Sequence, residues 1–291
     1  MPKPIDESQR AAWSRGTWLF LLACVGVIAP ASLFVHDFML ETLKVPYPKT
    51  VGLPISVKFL GDLVRMAALA VLCRVARPSL RGGSRLVEAL SIGVLLVMLH
   101  ETIRVFLIES TIVGSSMYTA CDIAPRALSW FVCGVAVAWI SLGDQKPRTV
   151  ALAIIALVAV EVFALHPALD AVGASLMQGL SEPVIRYTDP YPFKVNLLIY
   201  VTFIEPTIAA FVIAAYCWPH LGTGSLRRIM AFTALLLLVR GRFIALLVES
   251  FWVDQPRMTA FLAVGQFFLE TLVLGLLVAL AWNYASSRLL R

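Results

Sequence analysis

The sequence predicts an all-α polytopic membrane protein with eight transmembrane helices, arranged as a 4+4 parallel tandem repeat. Composition is the first reason, because 59% of the residues are hydrophobic and 14% are charged, whereas a soluble domain carries about 25% charged residues. The second reason is pattern, since nearly all of the charge falls in short stretches between apolar runs. The third is a likeness between the two halves of the chain. We therefore expect the lipid bilayer to be its main partner.

Eight windows are apolar and long enough to cross about 30 Å of hydrocarbon as α-helices. In chain order they cover residues 17–35, 55–75, 87–110, 123–142, 149–166, 195–218, 229–248 and 258–282.

In the first half, polar sequence separates the windows. The mixed-charge stretch 1–16 is not a cleavable signal peptide, because the small-residue run at 29–31 lies inside a full-length window. A Pro-Tyr-Pro sequence at 46–48 is a rigid extended element before the second window. Arginines separate the second and third windows, and Glu-Ser at 109–110 ends the third.

In the second half, Lys146 and Arg148 precede the fifth window. The connection after it is long, and residues 171–187 have the composition of a short amphipathic helix at the membrane interface. A second Pro-Tyr-Pro sequence, 190–192, precedes the sixth window, and a pair of arginines at 227–228 precedes the seventh.

Shifting the chain by 140 positions aligns the two halves. Residues 107–120 then match residues 247–260 at six of fourteen positions without a gap, and apolar windows and loops coincide along the whole shift. We interpret this as a duplication; the alternative is a chance likeness between two membrane helices. The boundaries that follow are 1–16 for an N-terminal segment, 17–142 for the first four-helix repeat, 149–283 for the second, and 284–291 for a tail.

Basic residues predict the orientation. The loops and termini on one side carry thirteen Lys and Arg residues, and the loops on the other side carry five. Cytoplasmic loops are enriched in Lys and Arg, so both termini are predicted to be cytoplasmic. An even number of spans in each half makes the halves parallel, related by an axis along the membrane normal. The excess of Arg over Lys is typical of a GC-rich bacterial genome, so the membrane is predicted to be the bacterial inner membrane.

Charged residues inside the windows mark the candidate site. A charge at the bilayer centre costs roughly 2.5–3.5 kcal/mol on insertion scales, so these groups are expected to face one another or a polar cavity. Lys58, Asp62 and Arg65, for example, share one helical face. The residues predicted to bind a substrate or an ion are Arg65, Glu101, Arg104, Glu205, Arg240, Arg242 and Glu249. The alternative is that the same charges form ion pairs that fix the register of the helices.

Equivalent positions of the two halves give two sharper predictions. Arg65 and Glu205 match under the shift with opposite charge, so they are predicted to pair across the axis. Glu109 and Glu249 also match, each near the outer end of a window. Arg126 is the predicted partner of Glu109, whereas Glu249 has no equivalent partner. Glu249 is therefore expected to face the cavity, and Glu109 to be structural.

We interpret the chain as a transporter or flippase-like protein with a charged cavity open to the outer face, handling a charged small molecule or a lipid headgroup. Transport is preferred over catalysis, and no catalytic residue is assigned. One alternative is a membrane enzyme at the outer interface, with Cys121 or the pair Glu109 and Glu249 as reactive groups. Another is a non-catalytic subunit whose charges dock membrane-complex partners, and an oligomer is compatible with each interpretation.

The sequence identifies no cofactor, metal site or nucleic-acid partner. The five cysteines show no CxxC spacing and the four histidines no metal-ligand spacing. No Walker motif or Gly-rich phosphate loop is present. The net charge of +6 follows from arginines in the loops of one side and requires no nucleic acid.

Overall fold

The computed structural model describes residues 15–80, 83–181, 183–188 and 191–288, and over these residues it is built from helices. In chain order they are α1 (Arg15–Asp37), α2 (Ile55–Leu80), α3 (Arg85–Leu99), α4 (Thr102–Val113), α5 (Ser116–Ser141), α6 (Pro147–Val160), α7 (His166–Met177), α8 (Phe193–Thr202), α9 (Ile204–Cys217), α10 (Ser225–Val239), α11 (Arg242–Leu247) and α12 (Arg257–Arg288). The predicted all-α class is confirmed over this part of the chain. Almost all of the predicted segment 1–16, and the end of the predicted tail 284–291, lie outside the described residues.

Several of these helices are suited to a bilayer. Among the described residues, five helical segments are long and apolar enough to cross a membrane, and the pair α3–α4, bent by 43°, makes a sixth if it is one span. Helices also occupy the other two predicted windows. There, α2 carries several charges along its length, and the seventh window is divided between α10 and the short α11. The structure thus supports a polytopic membrane protein with five to six such spans.

Two helix breaks lie 140 residues apart. α3 gives way to α4 at Glu101, whose φ is 58°. α10 gives way to α11 at Gly241, whose φ is 68°. This left-handed conformation is free for glycine and costs other residues about 1–2 kcal/mol. A side-chain carbon on Gly241 would also lie 2.7 Å from Nε of Arg65, so the conformation favours glycine there and a larger residue would displace the guanidinium.

A π-helical turn, Glu161–Leu165, joins α6 to α7, so one helical segment runs over Pro147–Met177. The structure therefore differs from the amphipathic interfacial helix expected over 171–187, because the helix begins earlier, ends at Met177 and packs against α5. Gly173 permits this packing, since a side-chain carbon there would lie 2.8 Å from the carbonyl oxygen of Cys121.

The main apolar core is shared by α1, α2, α3, α5, α6, α9, α10 and α12, and α2 packs against α9 within it. α3 packs against α5 and α9, α10 packs against α12 and α2, α1 packs against α12, and α7 packs against α5. Helices in a bilayer associate through close packing, which small residues allow. A side-chain carbon on Gly93 of α3 would lie 2.6 Å from Cγ2 of Val135 in α5, and one on Gly275 of α12 would lie 3.1 Å from Cγ2 of Thr233 in α10. These glycines allow close packing within each pair, of α3 against α5 and of α12 against α10.

Contacts between connections define the two ends of the bundle. At one end, which we call the basic end, Arg77 at the end of α2 pairs with Asp144 between α5 and α6. At the other, which we call the loop end, the connection before α2 lies against the connection before α12. There the N–H of Val51 donates to the carbonyl of Trp252 at 3.0 Å.

Candidate functional site

A cavity of about 220 Å³ lies toward the loop end of the bundle. Its walls come from α2, α5, the π turn and the 3₁₀ turn Glu249–Trp252 that follows α11. Seven of the lining residues are charged or can become charged. The lining residues are Leu53, Lys58, Gly61, Asp62, Arg65, Arg126, Ser129, Trp130, Glu161, His166 and Glu249.

The α2 wall is a charged stripe, because Lys58, Asp62 and Arg65 are spaced at helical intervals of four and three residues. Nη1 of Arg65 donates to Oδ1 of Asp62 at 2.5 Å. The guanidinium lies 4.4 Å from the centre of the Trp130 ring, on which the His100 ring also stacks at 4.2 Å. A charge-assisted hydrogen bond and a cation–π contact therefore hold Arg65 in place.

Two carboxylates in the wall lack basic ion-pair partners among the described residues. Glu161 is 5% exposed; its Oε1 accepts from the hydroxyl of Ser129 at 3.1 Å, and its Oε2 has no hydrogen-bond partner there. Glu249 leans against α2 at Gly61, where a side-chain carbon would lie 3.5 Å from its Oε1. Arg65 acts on Glu249 only at longer range. These carboxylates are the acceptors that the cavity offers to a cationic group.

Three basic or titratable residues lie nearer the loop end. Lys58 forms no ion pair with the described residues. Arg126 donates from Nη2 to Oδ2 of Asp122 at 2.9 Å, and Nε2 of His166 lies 3.2 Å from Oδ2 of Asp170. Lys58 is therefore the cation of this group that is available to an anionic ligand.

A second charged cluster lies at the α3–α4 break and is buried. Nη1 of Arg104 donates to Oε2 of Glu101 at 2.6 Å, and Nη2 of Arg240 donates to the other oxygen. Arg240 and Glu270 are each 3% exposed, and their charged groups lie 3.7 Å apart. Glu101 thus bridges two arginines at a residue with unfavourable φ. This network stabilises the break and leaves little of its charge exposed to a ligand.

Glu205 caps the helix that begins after the same break. The backbone N–H groups of Ile103 and Arg104 donate to its two oxygens at 3.1 and 2.7 Å. The first N–H groups of a helix lack intrahelical partners, and the positive end of the helix dipole attracts a carboxylate. Glu205 therefore joins α9 to α4.

The seven residues predicted to bind a ligand divide among three environments. Arg65 and Glu249 line the cavity. The buried network takes Glu101, Arg104 and Arg240, together with Glu205 as the cap of α4. Arg242 lies 5.1 Å from the ring centre of Phe267.

Sequence reasoning left other cavity residues out of the predicted site. They are Lys58, Asp62, Arg126, Ser129, Glu161 and His166. The helical spacing of Lys58, Asp62 and Arg65 was a usable signal. An acid in the middle of an apolar window, as at Glu161, was another. Nothing in the sequence indicated that Ser129 would bond to Glu161.

The specific pairs expected from the repeat do not form. Arg65 pairs with Asp62, and Glu205 binds backbone amides, so these two equivalent residues do not pair with each other. Arg126 pairs with Asp122 and not with Glu109. The two arginines pair with acids three or four residues away, because helix geometry already places those acids within reach.

Of the residues considered for catalysis, Glu249 lines the cavity, whereas the other two do not. Neither Cys121 nor Glu109 belongs to its lining. Within the described ranges no group of three or more His, Cys, Asp or Glu side chains is placed to hold a metal ion.

No protein-family model, curated protein or solved structure matches this chain. Its function is therefore inferred from its residues and their geometry.

Proposed function

We propose that the protein is an integral membrane transporter or flippase whose cavity binds a charged small molecule or a lipid headgroup. The observation that carries the proposal is the charged cavity inside a bundle of apolar helices. Charge in that setting is expensive and is generally found where a substrate or an ion is handled. The wall also contains two carboxylates, Glu161 and Glu249, which form no ion pair with a basic residue in the described part of the chain.

The interrupted helices support the same proposal. Transporters bind substrates near discontinuous helices, because the ends of broken helices supply backbone groups and dipoles near the middle of the membrane. Here breaks occur at Glu101, Phe203 and Gly241. Arg65, which lines the cavity, also lies directly against Gly241, so a ligand in the cavity would lie close to a helix break.

We also propose eight spans in a parallel 4+4 repeat. Its support is that helix contacts have counterparts when the halves are exchanged. α3 packs on α5 as α10 packs on α12; α3 packs on α9 as α10 packs on α2; and α1 packs on α12 as α7 packs on α5. The breaks at Glu101 and Gly241 also obey the 140-residue shift. In this arrangement the cavity is built from both halves, since α2 and α5 face the π turn and Glu249.

The proposed setting is the bacterial inner membrane, with both termini cytoplasmic and the loop end outside. The excess of basic residues in the connections on the side of the basic end supports this orientation. An oligomer or a membrane-complex partner is compatible with it. The cavity would then open toward the outer face.

Transport by proteoliposomes that contain the full chain tests the proposal. The probes are fluorescent phosphatidylethanolamine, phosphatidylcholine and phosphatidylglycerol for lipid movement, and labelled glycine, O-phosphoethanolamine and glycerol 3-phosphate for uptake. We expect at least one probe to cross faster than in protein-free liposomes. Glu249→Gln should abolish this movement, because it removes a cavity carboxylate while keeping the shape of the side chain.

Glu109→Gln is the matched control, since Glu109 occupies the equivalent position and does not line the cavity. It should keep transport per folded molecule and mainly lower stability. Movement of no probe, or full transport by the Glu249→Gln variant, would contradict the proposal. Catalysis at the outer interface and a subunit role stay alternatives, but no specific contact favours either.

A further inference from the structure

We infer that the cavity binds a primary-ammonium zwitterion, in which an ammonium group and a phosphate or carboxylate are joined by a short chain. The ammonium would contact Glu161 and Glu249, and the anionic group would contact Lys58. This inference rests on the proposed role of the cavity as a binding site and names the class of ligand.

The acidic part of the cavity points to the ammonium. Glu161 is 95% buried, since its exposed fraction is 5%, yet its Oε2 has no partner among the described residues. Asp62 acts on it electrostatically, and Glu249 lines the same space. Asp62 is paired with Arg65, whereas Glu161 and Glu249 form no ion pair with the described residues. Lys58, Arg65 and Arg242 act on them only at longer range, so the inner part of the cavity can take a cation. A primary ammonium, with three donors, satisfies the free oxygen of Glu161 and relieves its repulsion by Asp62.

The basic part of the cavity makes the ligand a zwitterion instead of a bare cation. Lys58 precedes Asp62 by four residues, Arg126 precedes Ser129 by three, and both helices run inward from the loop end. Each basic residue therefore lies about one helical turn, roughly 4.5–6 Å, closer to the loop end than the acid or hydroxyl that follows it. His166 follows Glu161 along a helix that runs toward the loop end, so it takes the same level.

The size of the cavity limits the ligand. Its volume of about 220 Å³ is below the roughly 300–1,000 Å³ of pockets for drug-sized ligands and well above the roughly 30 Å³ of one water molecule. A group the size of an amino acid or an ethanolamine phosphate is appropriate. The same chemistry occurs in a free solute and in the headgroup of an aminophospholipid, so the test separates the two.

The test is calorimetric binding to the purified full chain in detergent. Glycine and O-phosphoethanolamine represent free zwitterions, short-chain phosphatidylethanolamine represents the lipid, glycerol 3-phosphate carries only negative charge, and ethylamine only positive charge. We expect a zwitterion to bind at least tenfold more tightly than either singly charged probe. Binding of the free zwitterions identifies a solute; binding of the lipid alone identifies a headgroup.

Glu161→Gln and Lys58→Gln should each weaken zwitterion binding about 10–100-fold, since each removes a charge-assisted hydrogen bond. Glu41→Gln and Lys44→Gln are matched controls, because these two residues form an exposed pair outside the cavity, and both should bind normally. Thermal unfolding of each variant shows whether it is folded. If a variant does not fold, the relative affinities of the unaltered protein for the probes still test the inference.

Preference for glycerol 3-phosphate or ethylamine, absence of zwitterion binding, or unchanged binding by folded Glu161→Gln protein would overturn the inference. These outcomes differ from failure of the proposed function. Transport of glycerol 3-phosphate alone would support the proposed transporter and overturn the inference of a zwitterionic ligand. Zwitterion binding without movement of any probe would support that inference and contradict the proposed transporter.

Discussion

At the scale of the residue, the two positive-φ breaks are held in different ways. Gly241 adopts its conformation without cost and leaves room for Arg65, whereas Glu101 adopts a similar one because its side chain bridges Arg104 and Arg240. One break thus depends on the absence of a side chain and the other depends on a buried carboxylate. Each dependence gives a prediction.

Gly241→Ala should destabilise the protein by at least about 1–2 kcal/mol, because alanine is strained at this φ and its Cβ displaces the guanidinium of Arg65. Thermal unfolding in detergent measures the loss. Gly26→Ala is the matched control, since nothing lies within 4 Å of a Cβ at that position. Equal melting temperatures for the two variants would contradict the prediction.

Glu101→Gln should cost about 3–5 kcal/mol, because it leaves the buried charge of Arg240 with Glu270 alone, 3.7 Å away. Denaturant unfolding of the purified protein checks this magnitude. Glu41→Gln removes a carboxylate from an exposed pair with Lys44 and should change stability by less than about 1 kcal/mol. A similarly small effect at both positions would show that the buried network does not hold the break.

Helical spacing in the sequence predicts the partners that lie on one helix, such as Asp62 and Arg65, but not those from different helices, such as Glu101 and Arg240. Arg65 and Glu249 were predicted at a cavity and line one. Glu101 gave no sign of a break, because apolar periodicity continues through it and a left-handed glutamate is held only by tertiary contacts. Gly241 did carry a signal, since glycine is the residue that such a conformation favours.

At the scale of the element, α4 depends on a carboxylate from another helix. Glu205→Gln should weaken the cap of α4, because a neutral amide oxygen is a poorer acceptor and no longer complements the helix dipole. We expect a loss of about 1 kcal/mol, seen as faster hydrogen exchange at the amides of Ile103 and Arg104. Amides within α5 are the internal control and should keep their rates. Uniform acceleration across α4 and α5 would indicate general destabilisation instead.

The elements themselves were largely predictable, and their interruptions were not. Helices occupy all eight predicted windows, because long apolar runs determine where a chain is helical in a bilayer. The fifth window was predicted to end at residue 166, but the π turn Glu161–Leu165 continues the helix past that point. A one-residue widening of a helix leaves the hydropathy almost unchanged, so composition does not reveal it.

At the scale of the whole molecule, orientation is the property that labelling tests. In a variant whose five cysteines are replaced, single cysteines at Ser115 and Thr188 should react with a membrane-impermeant maleimide added outside intact cells. Cysteines at Gly83 and Gly222 should not react until the membrane is opened, because the connections on their side carry most of the basic residues. External labelling at Gly83 would reverse the orientation.

The charged stripe of α2 has a consequence for biogenesis. Lys58, Asp62 and Arg65 make α2 a poor substrate for the translocon on its own, since each central charge costs roughly 2.5–3.5 kcal/mol. The indole of Trp130, which covers Arg65, is synthesised only later with α5. We therefore expect α2 to enter the lipid cooperatively with later helices. Nascent chains truncated at residue 82 and fused to a glycosylation reporter should show mixed topologies, and chains truncated at residue 145 a single one. A uniform, fully inserted α2 in the shorter chain would mean that it enters the bilayer unaided.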